Sequence, residues 1–508
     1  MQKGRTATWQ DLRLKFCPSS ILPFCNLINV ALVSIVAIVT MLATHTAADA
    51  DLWGHLRFGA DLLASGRLPV HDPYSFTSDI AWVNHEWLSE LIFAAVYTHF
   101  GALGLNLLKL ALIGGVAALL WRTARRVGAT TFSAVVFTAL VILATTTRTG
   151  PIRPQLFSVV CFAILIEIAN RIEAGSRFAV LAVPALLCVW ANMHGGWIVG
   201  AGAVSVWALM TRRYWLPALA ALGTLINPYG VGLWWFVRDT VGLSRPEIVD
   251  WKPLLGLPPA IVAIEIVVPA LAIAAVWRTR RTPPLSQLGV LAMLAVGTLR
   301  VSRIDAFLQV GVAMICAPAI VEFLNAADVR LHRSPGLTRA SYANAVAAAA
   351  LVAVAIGFSA MRLSRITVEG DWMPDGEAIH FIDTHVSQTR LVTWFDWGEY
   401  AIWHLSPRGI RVSMDGRRET VYSDRVLRDH FAFYRNASPD AWRYPDLVGA
   451  DRVWLPKKLA IVEPLQAHGW HPIFESPTSV VLARDSSAGQ LAEIITSEPL
   501  ARAEFPGP

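Results

Sequence analysis

The sequence is poor in charged residues and in cysteine. Charged side chains make up only 16% of the 508 residues and hydrophobic ones 55%, a composition that argues against a soluble enzyme and is typical of a polytopic membrane protein. The five cysteines lie in or beside apolar segments, so there is neither a disulfide framework nor a CxxC metal site. Internal repeats, low-complexity stretches and nucleic-acid-binding motifs are also lacking, and we expect no nucleic-acid partner.

Apolar segments recur along the first two-thirds of the chain, and a membrane span needs about 20 such residues. Several of these segments are shorter, which is tolerable where a helix end opens into protein or a wet cavity. The segments lie at 24–45, 104–121, 129–147, 155–170, 178–193, 197–211, 214–235, 258–277, 285–299, 304–325 and 341–361. They predict an all-α, polytopic membrane domain over residues 1–363, with about eleven transmembrane helices.

The placement of basic residues predicts the orientation of the spans, because cytoplasmic loops are rich in lysine and arginine. The N-terminus carries Lys3, Arg5, Arg13 and Lys15, and we place it in the cytoplasm before an uncleaved first span, in preference to a cleaved signal peptide. The loop 46–103 is then external, and Trp87–Phe100 must be a surface helix and not a span. The arginines that fall in cytoplasmic loops on this map are Arg122, Arg125, Arg126, Arg171, Arg177, Arg212, Arg213, Arg278, Arg280, Arg281, Arg330, Arg333 and Arg339.

The segment 364–508 is more polar, and its apolar runs are short. Strand-like stretches alternate with helix-like ones, which predicts a small α/β domain on the external side. The strand-like stretches are Arg390–Phe395, Ile410–Met414, Arg452–Leu455 and Ser479–Ala483, and the helix-like ones are Gly398–Leu405, Asp424–Tyr434 and Lys458–His468.

The first external loop concentrates acids, histidines and tryptophans. Asp51 and His55 are four residues apart and share one face of a helix, so Asp51 could act as a general base that His55 orients. His85 and Glu86 are the other candidate catalytic residues. Two alternatives remain open: Asp51 could cap the following helix, or the loop could bind a divalent metal. The candidate metal ligands are Asp51, His55, His71, Asp72, His85 and Glu86.

Polar residues also lie at the predicted external ends of several spans. Guanidinium groups suit phosphate oxygens, although each such arginine could equally anchor to lipid headgroups or form a structural ion pair. We expect Asp51, His85 and at least two of Arg153, Arg300 and Arg303 to line one pocket. The candidate substrate-binding residues are Arg57, Asp72, Arg153, Asn192, His194, Arg300 and Arg303.

The motifs of the first loop resemble those of bacterial GT-C-type membrane glycosyltransferases, the superfamily of the protein O-mannosyltransferases and other lipid-linked sugar transferases. The loop has an acidic residue just after span one, then Gly66-Arg-Leu-Pro69, Asp72-Pro-Tyr-Ser-Phe-Thr77 and Trp82-Val-Asn-His-Glu-Trp-Leu-Ser-Glu90. Patterns elsewhere in the chain are similar to those of one subgroup: Arg153-Pro-Gln, Asn192-Met-His-Gly, Asn227-Pro-Tyr-Gly and Met414-Asp-Gly-Arg417. The sequence departs from better-studied members in having Leu52, and not a second acid, beside Asp51.

This resemblance implies a polytopic fold with surface helices in the first loop, and a multi-pass protein of the bacterial inner membrane. Its N-terminus would be cytoplasmic and its C-terminal domain periplasmic. The donor would be a polyprenyl-phosphate-linked sugar, the acceptor a lipid, a glycan or a protein of the envelope, and Asp51 the base. No cofactor is certain, and a divalent metal is possible. Two other functions fit the residues, a transporter or flippase of lipid-linked glycans and a non-catalytic envelope assembly protein.

Overall fold

The computed structural model describes residues 26–243, 245, 248–484, 493–494 and 503–507. The basic residues of the N-terminus, with Cys17 and Cys25, lie outside the described residues. Residues 27–363 are helical throughout, apart from loops and short 3-10 turns. The helices are α1 Leu27–Ala43, α2 Leu52–Ser65, α3 Trp87–Arg126, α4 Thr131–Ala144, α5 Thr146–Thr149, α6 Gln155–Glu173, α7 Ala179–Ala191, α8 Trp197–Met210, α9 Leu216–Thr224, α10 Gly232–Thr240, α11 Pro259–Thr279, α12 Leu285–Arg300, α13 Asp305–Ile315, α14 Ala317–His332, α15 Pro335–Thr338 and α16 Tyr342–Leu363.

Four of the described helices, α3, α6, α11 and α16, are long and apolar enough to cross a membrane. The bent pair Ser302–Ile315 and Ala317–His332 would make a fifth span, and five further apolar helices are 10–17 residues long. The predicted helical membrane architecture is therefore confirmed, whereas the count of about eleven spans stays a prediction.

Breaks in the helices fall at recognisable residues. Gly101 has φ 58° and ψ −151°, a conformation that favours glycine, and it separates Trp87–Phe100 from the rest of α3. This break agrees with the prediction that Trp87–Phe100 is a helix of its own. The predicted span 214–235 is wrong as one helix, because α9 ends before Asn227-Pro228 and α10 begins at Gly232. The predicted span 304–325 is bent by 71° between α13 and α14, where Pro318 lies at the start of α14.

The C-terminal portion contains a six-stranded mixed sheet with helices. Its strands in order across the sheet are β3, β2, β4, β6, β5 and β7, and β1 pairs with β8 in a separate two-stranded ribbon. The strands are β1 Thr367–Val368, β2 Arg390–Thr393, β3 Arg411–Val412, β4 Arg452–Pro456, β5 His471–Glu475, β6 Ser479–Ala483, β7 Glu493–Ile494 and β8 Ala503–Glu504. The helices are α17 Gly376–His385, α18 Gly398–Leu405, α19 Asp424–Tyr434, α20 Tyr444–Leu447 and α21 Val462–Ala467.

The first loop packs against this C-terminal portion and not only against the membrane helices. Val412 at the edge of the sheet donates its N–H to the Tyr74 carbonyl (2.9 Å) and accepts from the Phe76 N–H (3.0 Å). Leu52, Trp53 and Leu56 of α2, all with no exposed surface, belong to one hydrophobic core with side chains from α17, α18 and the sheet. Burial of large apolar side chains is the main term that holds such elements together. It fixes Asp51, at the start of α2, between the membrane helices and the C-terminal portion.

Candidate active site

A cavity of about 370 Å³ lies where the first loop, the membrane helices and the C-terminal portion meet. Its helical walls are apolar, with Ile198, Val199 and Phe307 among the lining residues. The ionisable groups gather near the start of α2. They are Asp51, His55, His85, Glu86, Glu90, Arg153, His194, Arg245, Asp250, Arg303, Glu399, Arg417, Arg418 and Glu419.

Asp51 directly precedes α2, but its side chain makes no capping hydrogen bond; the capping alternative is therefore wrong. Among the described residues, no group forms a hydrogen bond or an ion pair with the Asp51 carboxyl; its backbone N–H donates to Asp49 Oδ1 (2.9 Å), and its backbone carbonyl accepts from the His55 N–H (3.0 Å). Burial raises the pKa of Asp51, and the charges of Glu86 and Asp396 add to this, against the opposing effect of His55 and Arg303. An unpaired carboxylate with a raised pKa is suited to accept a proton near neutral pH.

His55 belongs to a hydrogen-bonded chain of side chains beside Asp51. Its Nδ1 lies 3.2 Å from Glu90 Oε1, and Asn84 donates to Glu90 Oε2 at 2.6 Å. Burial alone would lower the pKa of His55, but the hydrogen bond to Glu90 and the charges of Glu86, Glu90 and Asp51 outweigh it and raise the pKa. His55 therefore tends to carry a positive charge close to Asp51.

Glu86 lies among three imidazoles. Its Oε1 is 3.6 Å from the Nε2 atoms of both His85 and His194, and its Oε2 is 4.0 Å from His55 Nδ1. Burial would raise the pKa of Glu86, but the imidazoles and Arg303 lower it below its ordinary value. Burial lowers the pKa of His194 to about 3, and Ser158 and the Gly196 N–H hold its Nδ1 at 2.7 and 3.0 Å. The environment thus moves the pKa values of Asp51 and Glu86 apart, a pattern that assigns different roles to two carboxyls.

Arg303 and Arg153 both line the cavity, but their surroundings differ. Arg303 approaches His194 Nε2 at 3.3 Å, and none of the carboxylates that the structure describes forms a salt bridge with it. Arg153, in contrast, is held by Asp49 and by Asp250, whose Oδ2 accepts from Nη1 at 2.7 Å. Of these two guanidinium groups, that of Arg303 is therefore the one available to an anionic ligand.

Four predicted substrate-binding residues do not line this cavity. Arg57 donates to Asp61 (3.0 Å), and Asp72 accepts both Nη groups of Arg417 (2.7 and 2.9 Å). Asn192 joins Trp87 to the Cys188 and Ile226 carbonyls, and Arg300 is exposed at the end of α12. Arg57, Asp72 and Asn192 are bonded to other protein groups, and their contact with substrate, like that of Arg300, stays a prediction. The expected meeting of Asp51, His85, Arg153 and Arg303 in one pocket is confirmed.

Several ionisable residues of the cavity were not predicted, among them Glu90 and Glu399. Glu90 is buried behind His55, and Glu399 reaches the cavity from α18 and is 3% exposed. Arg417, from the Asp415-Gly-Arg417 turn noted in the sequence, is held by Asp72 and Asp415 and lies over the rings of Phe58 and Trp82. The glycine of that turn is the available sequence signal, since a Cβ on Gly416 would overlap the Asp51 carboxyl.

His55, Glu86 and Glu90 could together hold a metal ion, since one donor atom from each lies within 4.8 Å of the others. Nitrogen and carboxylate donors of this kind suit zinc or manganese. In the present geometry, however, these groups are hydrogen-bonded or paired with one another and with Asn84. His71 and Asp72, which belonged to the predicted ligand set, lie outside the group.

A second cavity, of about 720 Å³, meets the first at Asp51, Arg153, Asp250 and Gly416. Its walls include the apolar Leu42, Ile113 and Ile142 of the membrane helices. Trp372 and Asp396 of the C-terminal portion close it. The carboxyl of Asp51 is thus accessible from two sides.

The ends of the helices away from these cavities carry other arginines. Arg126 at the end of α3 and Arg171 at the end of α6 share Glu167 at 2.8 and 2.9 Å, and both line a further cavity with Arg281. Arg153 precedes the opposite end of α6. The predicted cytoplasmic and external arginines therefore lie at opposite ends of the same helix, as the orientation map requires.

No protein-family model matches the chain, and no curated protein matches it in sequence. Solved structures do. One is the Archaeoglobus fulgidus oligosaccharyltransferase tethered with an acceptor peptide containing the NVT sequon, with TM-score 0.53 and 11% identity over 94% of this chain and 75% of that one. Another is ArnT from Cupriavidus metallidurans in the apo state, with TM-score 0.52 and 14% identity over 90% of this chain and 98% of that one. At such identities the likeness shows a shared fold, which the motifs of the first loop predicted.

Proposed function

We propose that this protein, which has the fold of GT-C-type membrane glycosyltransferases, is itself a membrane glycosyltransferase. It would move a sugar from a polyprenyl-phosphate-linked donor to an envelope acceptor at the periplasmic face. One observation carries the proposal: an unpaired carboxyl, Asp51, and a guanidinium without a carboxylate partner, Arg303, line the same cavity.

Each partner of the reaction has a counterpart in the cavity. Arg303 binds the donor phosphate, because a guanidinium donates several hydrogen bonds to phosphate oxygens. The apolar wall that includes Ile198, Val199 and Phe307 accommodates the first part of the prenyl chain. His85, Glu86 and His194 face the transferred sugar. Arg153 has a supporting role, since Asp49 and Asp250 already hold it.

The chemistry asks for a base and for stabilisation of the leaving group. The acceptor atom attacks the anomeric carbon and its proton passes to the Asp51 carboxylate, while the bond from the anomeric carbon to the phosphate oxygen breaks. The electron pair of that bond stays on the phosphate, where Arg303 stabilises the charge. Asp51 and not Glu86 is the base, because burial raises the pKa of Asp51 whereas the imidazoles lower that of Glu86.

The second cavity is the proposed entry for the acceptor. It is lined by Asp51 and shares Arg153 and Gly416 with the first cavity. Its ionisable side chains include His45 and Glu369, which lie 3.6 Å apart as a pair, and Asp396, whose pKa burial raises. Such a lining favours a hydroxylated acceptor over a second anionic group.

The test is complementation of a gene deletion with Asp51→Asn. A general base contributes about 10²–10⁴-fold to a rate, so the variant should fail to restore the envelope glycan that the deletion removes. Because burial raises the pKa of Asp51, its ionised form costs folding free energy at neutral pH, and Asp51→Asn should be at least as heat-stable as the wild type. Asp429→Asn, an exposed change in α19, is the matched control. Restoration of the glycan by Asp51→Asn would refute the assignment.

A further inference from the structure

Glu399 is a buried carboxyl that the proposed transfer leaves without a role. It is the second residue of α18, and the C-terminal portion holds it against α2 through close glycine contacts. A Cβ on Gly398 would overlap the Met414 carbonyl, and one on Gly54 would overlap the Glu399 carboxyl itself. The glycines in α18 and α2, which have no side chains, therefore leave the space that Glu399 occupies beside α2.

Glu399 and Asp51 come together at a third glycine. A Cβ on Gly416 would overlap Asp51 Oδ1 and would lie 3.0 Å from Glu399 Oε1. Two carboxyls from distant parts of the chain thus approach the same Cα, and both line the cavity that contains Arg303. Backbone without a side chain is what allows this close approach.

Arg417 is the described cation whose charge acts most on Glu399. It already binds Asp72 and Asp415 in bonds of 2.7–2.9 Å. Glu399 Oε2 is buried without a hydrogen-bond partner among the described residues. Burial raises the pKa of Glu399 well above its ordinary value, and Asp51, Asp415 and Glu90 raise it further against the effect of Arg417. Two buried carboxyls that face each other cannot both ionise at low cost.

We propose that Glu399 is a positioning residue for Asp51, and that the two carboxyl groups hold one proton between them across Gly416. This inference rests on the proposed function. In the resting enzyme Glu399 is a neutral acid and Asp51 is the carboxylate. During transfer Asp51 takes the acceptor proton, so the pair then holds two protons, and one is released to water in the cavity. A charge on Glu399 would place a second anion beside Asp51 and near the donor phosphate, which disfavours donor binding.

The pH profile of kcat/KM separates this role from a structural one. In the wild type, kcat/KM should fall at alkaline pH as Glu399 ionises, by about tenfold per pH unit. Glu399→Gln keeps the shape of a neutral acid but cannot ionise, so its pH profile should lack this alkaline fall. Glu463→Gln, an exposed change in the same portion, should keep the wild-type profile. An alkaline fall in Glu399→Gln as steep as in the wild type would overturn the proposal.

Infrared spectroscopy of the purified protein gives a readout that does not depend on activity. The wild type at neutral pH should show the carbonyl band of a protonated buried carboxyl. In a difference spectrum against the wild type, Glu399→Gln should lose one component of that band, and Asp51→Asn should shift that component, because the proton is shared. A band that Asp51→Asn leaves unchanged would refute the sharing even if transferase activity is confirmed. If the bands behave as expected and no sugar transfer is found, the proposed function fails and the carboxyl pair stands.

Discussion

Arg417 and Arg303, from two walls of the Asp51 cavity, are paired in opposite ways. On the wall from the C-terminal portion, Arg417 is fully used by Asp72 and Asp415, and Glu419 accepts from Arg245 (2.6 Å). On the wall from the membrane helices, Arg153 is paired as well, but Arg303 meets an imidazole and none of the described carboxylates. The first wall is a satisfied ion-pair framework, and the second leaves one guanidinium without a carboxylate among the described residues.

The level at which an arginine lies in the membrane therefore does not define its role. Arg153 and Arg303 both follow from one sequence argument about external helix ends, and Arg148 lies in α5, just before Arg153. Arg148, however, is paired with Asp250 and lies 3.1 Å from Asp305 Oδ1. Buried pairs of this kind specify geometry, whereas an unpaired guanidinium is costly unless a ligand compensates it. Variants of each kind of arginine test whether paired arginines stabilise the fold and unpaired ones bind a ligand.

The largest effect is expected for Arg417, on the wall whose arginine is fully paired. Arg417→Met leaves Asp72 and Asp415 buried without their cation, and removal of one partner from such a pair costs about 3–5 kcal/mol of folding free energy. Thermal unfolding in detergent should show a clear drop in Tm. Arg425→Met, a largely exposed change, is the matched control. An unchanged Tm in Arg417→Met would mean that this wall is not held by its ion pairs.

A smaller effect, on donor binding and not on stability, is expected for Arg303. Arg303→Met leaves no carboxylate unpaired, so the Tm should stay close to that of the wild type. Loss of a hydrogen bond to a charged group costs about 1.5–3 kcal/mol, and kcat/KM for the polyprenyl-phosphate donor should fall by the corresponding factor of about 10 to 100. The measurement is a donor titration with purified protein. A lowered Tm with an unchanged KM would place Arg303 with the structural arginines.

The smallest effect is expected for Arg300, three residues before Arg303. Arg300 is exposed and lines neither cavity, so Arg300→Met should change folding free energy by no more than about 0.5 kcal/mol and should leave the donor KM unaltered. The same donor titration serves as the check. A KM change as large as that of Arg303→Met would restore the original prediction that both arginines bind the phosphate.

Much of the fold could be predicted because local patterns determine it. Gly398–Leu405 and Asp424–Tyr434 form helices over the predicted residues, since each has apolar side chains at helical spacing. The strand His471–Glu475 was missed because its Pro472 argues against a strand, and here the proline lies at a register irregularity. Helix Gly376–His385 was not among the helix-like stretches predicted for this portion.

The site was predicted where neighbours in sequence are neighbours in space. Asp51 and His55 share a helix, and His85 and Glu86 are adjacent, so the motif already contains part of the geometry. Glu399 could not be found in this way, because its position depends on the packing of α18 against α2. The positions of Arg57 and Asp72 outside the cavity could not be predicted, because a polar residue in a loop looks the same in sequence whether it binds a substrate or another side chain.

The close approach of Gly416 to Asp51 has a consequence for biosynthesis. The ribosome completes the acid-bearing loop early, and the turn that closes its chamber emerges only after all the described membrane helices. A nascent chain that stops before this turn can insert in the bilayer, yet its carboxyl faces open water and not an enclosed cleft. Interrupted synthesis would therefore leave Asp51 without the turn that encloses it.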